Sequence, residues 1–217
     1  MKKQTIIFTQ STRAVKSLID NDEPLRKLIM KIGDIELKLD NNYFESLIMS
    51  IIGQQLSSKA SKTIRNRVRS LSPELTPEST KSLSFDELRN AGLSKAKITY
   101  IYDLSEKILS EEIDFENIHR FNNEHVIEEL TKVKGIGKWT AEMFLIFSLG
   151  RLDVLSFGDL GLQRACRWLY NMAEQPKGKY LETHQTRWEP YFSVVSLYLW
   201  EAIDLGLVDS GKKLDEL

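Results

Sequence analysis

VKGIGKWTAEMF, residues 133–144, breaks into what is otherwise one continuous helical pattern. Apolar residues recur at helical spacing before it (Val126, Ile127, Leu130, Val133) and resume after it (Ala141, Phe144, Leu145, with Ser148 next in phase). Gly135 can take the left-handed conformation that ends a helix without a Cβ penalty, and Gly137 leaves bare backbone where the next helix starts. Ile136, between them, can plug the angle where the two helices meet. The stretch therefore reads as two helices joined by a very short hairpin. Lys132, Lys134 and Lys138 flank it. Unpaired N–H groups at a helix N-terminus with lysines beside them favour a phosphate. A plain helix–helix turn that binds nothing fits the same residues, so both readings stand at this point.

Outward from the hairpin, almost every segment reads as helix. YFESLIMSII (43–52) places Phe44, Leu47, Ile48 and Ile51 on one face. ASKTIRNRVRSL follows, then a loop marked by Pro73 and Pro77. SFDELRNAG starts on Ser84 with Glu87 three residues on, a capping-box pattern, and ends on Gly92. SKAKITYIYDLSEKIL begins at another serine, LGLQRACRWLYNM and YFSVVSLYLWEAIDLG complete the helical set, and DSGKKLDEL reads as a frayed tail. TIIFT (5–9) and the alternation in DIELKLD (34–40) suit short extended pieces.

The 217 residues are 41% hydrophobic and 28% charged, the balance of a globular protein with one or two compact cores. No run approaches the roughly 20 apolar residues of a membrane span, and the start lacks a secretory leader, which predicts a cytosolic protein, nucleoid-associated if bacterial. A single cysteine, Cys166, excludes an internal disulfide, a thiolate zinc cage and a cysteine-ligated cluster; it reads as a small apolar helix residue. His119, His125 and His184 are scattered and predict no metal site. The net charge of −1 carries no global mark of nucleic acid, but KASKTIRNRVRS (59–70) holds five basic side chains and no acid, while acids collect in EEIDFE (111–116). A solvated helix face accounts for such a run as well as a phosphate contact does.

Four stretches in order extend the hairpin into a longer pattern: SIIGQQLSSKAS (50–61), AGLSKAKITYI (91–101), KGIGKWTAEMFL (134–145) and DVLSFGDLGLQRA (153–165). Together they resemble the helix-hairpin-helix superfamily of base-excision DNA glycosylases, in the 3-methyladenine DNA glycosylase II branch and its shorter form. The resemblance covers most of the chain. It implies an all-α fold of two helical lobes flanking a DNA-binding cleft, with a central lobe of residues 43–150 and a second built from 1–42 with 151–217. It implies that Gly135, Gly137, Lys134, Lys138 and Thr140 bind DNA phosphate, and that Gln55, or failing it Leu56, is the wedge that fills the gap left by an extruded base. The two glutamines could equally just end a helix.

By the same resemblance Asp159 drives cleavage of the base–deoxyribose bond. GDLGLQRA is also how an ordinary N-capped helix begins, and the two readings are compatible, because a helix N-terminus favours a negative group. Asp153 lies too early and reads as a loop or cap residue. A carboxylate near a sugar of oxocarbenium character stabilises the transition state more than the ground state. Strand-cutting relatives resembling this chain carry, in place of Trp139, a lysine that forms a Schiff base with the sugar. Lys138 is adjacent, but one helical position rotates a side chain by about 100°, so it faces away. A monofunctional glycosylase is therefore expected, acting on duplex DNA with alkylated purines. Trp139 and Tyr191 match pocket aromatics of the family, Tyr191 standing where a larger relative has tryptophan and Met143 where it has tyrosine. An electron-rich pocket attracts a cationic base by about 0.5–2 kcal/mol. Trp168, Trp188, Trp200 and Phe192 are read as core. No small-molecule cofactor is expected; a monovalent cation on hairpin carbonyls near Val133 and Ile136 is compatible with the family. A monomer is the default expectation. The competing functions are a non-catalytic helix-hairpin-helix module that holds DNA, which Asp159 argues against, and a strand-cutting lyase, which Trp139 argues against.

Overall fold

A computed structural model describes residues 4–174 and 179–216, which divide into two compact units, Asp40–Leu149 and Met1–Leu39 with Gly150–Leu217. The first is wholly helical. Its centre is α3 (Tyr43–Gly53), apolar nearly all round, with Leu47, Ile48, Ile51 and Ile52 fully buried. A helix of that composition has no face for water and must be wrapped. It is wrapped by α4 (Ser58–Arg69), α7 (Lys95–Leu109) and α9 (Lys138–Phe147). Two short helices, α5 (Pro77–Ser82) and α6 (Phe85–Asn90), lie against α7, and α8 (Asn123–Thr131) packs on α9.

The starts of these helices follow from side-chain chemistry. Asn42, Ser57, Ser94 and Asn122 each accept the amide three residues on, and Thr76 and Ser84 close full capping boxes. The Ser84–Glu87 expectation is met. Pro77, expected to mark a loop, instead opens α5 at a position where its missing N–H would have had no partner.

The second unit joins β1 (Thr5–Phe8) and β2 (Ile35–Lys38) in an antiparallel pair, with Thr5 opposite Lys38 and Phe8 opposite Ile35. The predicted extended pieces are thus one ribbon on an otherwise helical fold. Between them lie α1 (Arg13–Asn21) and α2 (Glu23–Ile32), which periodicity alone did not single out. Asp22 accepts the Leu25 amide at 3.0 Å to start α2, with Pro24 in its first turn. After residue 150 come α10 (Leu160–Leu169), α11 (Gln185–Trp188) and α12 (Phe192–Asp204), and α12 buries Val194, Val195, Tyr198, Leu199 and Ala202. The tail is not frayed as expected. The Trp168 indole donates to the Lys212 carbonyl at 2.9 Å, Lys27 pairs with Asp215 at 2.8 Å, and Leu214–Glu216 form a 3-10 turn. Of the aromatics read as core, Trp188 is fully buried, whereas Trp168, Trp200 and Phe192 are half-buried. Cys166 lies buried in α10, its thiol pushed up to about 12 by desolvation, as an inert apolar residue should be. Among the described residues no helix is long and apolar enough to cross a membrane.

Candidate nucleic-acid interface and active site

The hairpin has the form its sequence predicts. Residues 132–137 join α8 to α9; Val133 and Ile136 are buried, and the Ile136 amide donates back to the Val133 carbonyl at 3.1 Å. The two glycines, however, do different work. Gly135 has φ +82°, and a Cβ there would lie 2.1 Å from the Tyr100 ring, so neither the conformation nor the space admits a side chain. Gly137 has ordinary extended φ (−96°), and a Cβ there would meet nothing within 4 Å. Its bareness serves no packing purpose, and it leaves the start of α9 open to an approaching group. No side chain caps α9. An α-helix supplies no acceptors of its own for its first-turn amides.

The other predicted phosphate contacts divide. The Lys134 amide is already given to Asp103 Oδ2 at 2.8 Å, and its ammonium sits 3.5 Å from Asp103 Oδ1. What Lys134 offers an anion is a tethered charge, with no free backbone donor. Lys138 is exposed, 3.9 Å from the Glu142 carboxylate. Thr140 has a buried side chain, so its contribution at the helix start is its amide. The basic run on α4 is also only partly available. Arg65 turns inward to donate to the Met49 carbonyl at 3.0 Å, where burial and the neighbouring Arg69 charge depress its pKa, and Arg69 pairs with Glu45 at 2.6 Å. Lys59, Lys62 and Arg67 remain exposed. Spacing alone could not sort these, because which arginine turns inward depends on where α3 ends.

The proposed wedge sits on the turn between α3 and α4. Gln55 is exposed with φ +55°, a left-handed conformation unusual for a residue with a side chain, and Leu56 beside it is 38% exposed. Two groups that the sequence reading overlooked hold this turn. The Gln54 side-chain Nε2 donates to the Gly135 carbonyl at 2.8 Å, and the Lys97 ammonium donates to the carbonyls of Ile52 and Gln54 at 2.8 and 2.7 Å. Burial lowers the pKa of Lys97. In the sequence Lys97 is one more charge near the start of α7; only its contacts across the chain show what it holds.

Turn, hairpin and α9 line a single cavity of about 820 Å³, whose walls include Gln55, Leu56, Trp139, Thr140 and Met143 with Lys97 and Tyr100. Trp139 is 49% exposed, an unusual state for the largest apolar side chain. Lys138 is not among the lining residues, in keeping with its helical phase. Seven of the predicted residues, counting Gly135, Gly137 and Thr140 with Gln55, Leu56, Trp139 and Met143, thus share one site.

Asp159 and Tyr191 belong to the other unit. Asp159 is 8% exposed and caps α10, its Oδ1 accepting the Leu162 amide at 2.8 Å. Gln163, one turn on, fastens the loop before it: its amide donates to the Phe157 carbonyl at 2.8 Å, and its oxygen accepts the Tyr180 amide at 2.7 Å. Leu160, next to Asp159, is 84% exposed. Tyr191, half-buried, stands at the start of α12, its carbonyl accepting the amides of Val194 and Val195. Asp153 lies exposed in the loop before α10, as expected. His184 is buried against Tyr170, rings stacked at 3.7 Å, with burial lowering its pKa. Among the described residues no group of three or more His, Cys, Asp or Glu side chains could hold a metal ion.

Comparison with known proteins finds likeness along most of the chain. DNA-3-methyladenine glycosylase 1 of Schizosaccharomyces pombe is 34% identical over 206 residues, 92% of this chain and 90% of its own. The crystal structure of a DNA-3-methyladenine glycosidase from Bacillus halodurans superposes with a TM-score of 0.87 at 42% identity, covering 97% of this chain and 98% of that one. The S. pombe 3-methyladenine DNA glycosylase in complex with abasic DNA superposes at 0.78 with 34% identity, over 89% and 97% of the two chains. The model of the HhH-GPD superfamily of base excision DNA repair proteins matches residues 48–190, a span that holds wedge turn, hairpin and Asp159, and the chain belongs to that superfamily.

Proposed function

We propose that this protein is a monofunctional DNA glycosylase that extrudes alkylated purines, of the 3-methyladenine and 7-methylguanine class, from duplex DNA and hydrolyses their bond to deoxyribose, leaving an abasic site for base excision repair. The observation that carries this reading is likeness over nearly the full chain to proteins named DNA-3-methyladenine glycosylases, one of them solved on abasic DNA. The hairpin and the uncapped start of α9 hold the strand through phosphate, with Lys134 and Lys138 as charges beside it. Gln55 enters the duplex, Leu56 beside it, as the target base leaves the stack. Trp139, Met143 and Tyr191 receive that base, the aromatic faces favouring a cationic purine.

Asp159 acts on the sugar. As the C1′–N bond lengthens, the bonding pair moves to the base, which starts cationic and departs neutral, so little acid assistance is needed. The sugar takes on positive charge, and the carboxylate stabilises it where it develops. Water then adds to C1′ and releases a proton, completing hydrolysis. With Trp139 where strand-cutting relatives carry lysine, the position that supplies their Schiff-base amine has none here. A monovalent cation on the hairpin carbonyls is compatible with the oxygen donors there, and no step depends on it.

The test is to incubate methylated duplex DNA with wild type and Asp159→Asn and to measure free methylpurines. Release by wild type and its loss in the variant is the expected result. Absence of release across alkylated, deaminated and etheno lesions would make the protein a DNA-holding module, and a borohydride-trapped covalent complex would make it a lyase.

A further inference from the structure

Gln55 presents its side chain from a left-handed backbone, a conformation that L-residues leave readily unless surrounding groups hold it. Two such holds converge on the residues just before it. The Lys97 ammonium bonds the carbonyls of Ile52 and Gln54, the last turn of α3, and the Gln54 side chain bonds the hairpin at Gly135. The helix C-terminus that Lys97 caps is the negative end of the α3 dipole, so a cation there is favoured. Burial lowers its pKa, and the two carbonyl contacts are what hold the ammonium there. Tyr100, one turn along α7 from Lys97, fills the space under Gly135. One helix, α7, thus carries supports for both wedge turn and hairpin.

We infer that Lys97 is a positioning residue for base extrusion: by bridging the Ile52 and Gln54 carbonyls it keeps the 53–56 turn in the shape that presents Gln55 to the duplex. The inference rests on the glycosylase reading above and assigns Lys97 no contact with substrate. Its consequence is specific. Removing the bridge should slow the step in which a paired base leaves the helix and spare the chemistry that follows. Extrusion costs least for a base that is already unpaired.

The experiment measures single-turnover release of 7-methylguanine from two duplexes, one with cytosine opposite the lesion and one with an abasic gap opposite. Lys97→Met, which keeps the stem and loses the charge, should slow release from the paired duplex about tenfold and from the gapped duplex much less. Lys97→Arg, which keeps donors in reach of the carbonyls, should recover part of the loss. Equal slowing on both duplexes, or none on either, overturns the inference. A second readout does not need turnover: 2-aminopurine placed beside the lesion brightens as the base leaves the stack. A smaller rise with Lys97→Met is expected, and a rise equal to wild type overturns the assignment. Wild type that brightens the probe but releases no base would refute the glycosylase reading while leaving Lys97 to be judged by fluorescence.

Discussion

Two helix starts face the same electrostatic problem and solve it in opposite ways. At α10 the chain supplies its own acceptor: Asp159 Oδ1 takes the Leu162 amide, and Gln163 locks the preceding loop. At α9 the N-cap residue supplies none. Gly137 stands at the cap position without a side chain, and the turn before it is shaped by Gly135 and Tyr100. A capped start carries a fixed negative group; an uncapped one presents amides to a negative group from outside. The same backbone dipole therefore anchors a carboxylate in one unit and, in the other, is left without a cap from its own N-cap residue.

Asp159→Asn separates charge from capping most sharply. Asparagine caps as well as aspartate, so the melting temperature should hold while methylpurine release falls on the order of 10²–10³-fold, the loss typical of removing an electrostatic stabiliser. Full activity in the variant would reduce Asp159 to a cap. At the other start, the two glycines should part company. Gly135→Ala combines left-handed strain with a clash against Tyr100 and should cost about 2–4 kcal/mol in a urea titration. Tyr100→Ala in the same chain should restore some of it. Gly137→Ala should leave stability within about 0.5 kcal/mol yet weaken DNA binding, since its methyl intrudes on the open face; unchanged affinity would remove the backbone from the interface.

Smaller effects sharpen the contrast. Trp139→Ala should lower the preference for cationic 7-methylguanine over a neutral lesion by about 0.5–2 kcal/mol in kcat/KM ratio. A ratio that does not move would exclude cation–π attraction from selectivity. In the unit that holds Asp159, burial and the Arg187 charge lower the pKa of His184, and Asp22 acts the other way. Tyr170 and Trp188 stack around the ring, and both donate to Asp22. The unfolded chain, with histidine near its ordinary 6.5, binds the proton more readily than the folded one. Stability is thus full above about that pH and falls as the pH drops below it. His184→Phe, which keeps the stack, should flatten the melting-temperature profile between neutral and mildly acidic pH; an unaltered profile would place the titration elsewhere.

Much of the fold could be read locally. Ser84, Ser94 and the glycine pair mark helix ends because caps and left-handed turns are made by residues three or four apart, and α3 announces burial by being apolar all round. The start of α2 was legible too, since Asp22 and Pro24 are the residues such a start uses, but period alone passed over it. The tail misled, because its polar composition says nothing of the Trp168 indole that binds Lys212. The aromatics misled by degree: a tryptophan on a helix looks the same whether its far edge meets core or water.

By itself, the sequence determined the helical fold, the hairpin, the family and the identity of the candidate carboxylate, since each rests on short-range patterns or on motifs written in order. Only the tertiary structure decided that Gly135 answers to Tyr100 while Gly137 answers to open space. It also decided that Arg65 turns inward and that Lys97 bonds the turn that carries Gln55. Those roles depend on partners between 16 and 45 residues away along the chain, and a long flexible cation shows its function only where packing brings carbonyls within its reach.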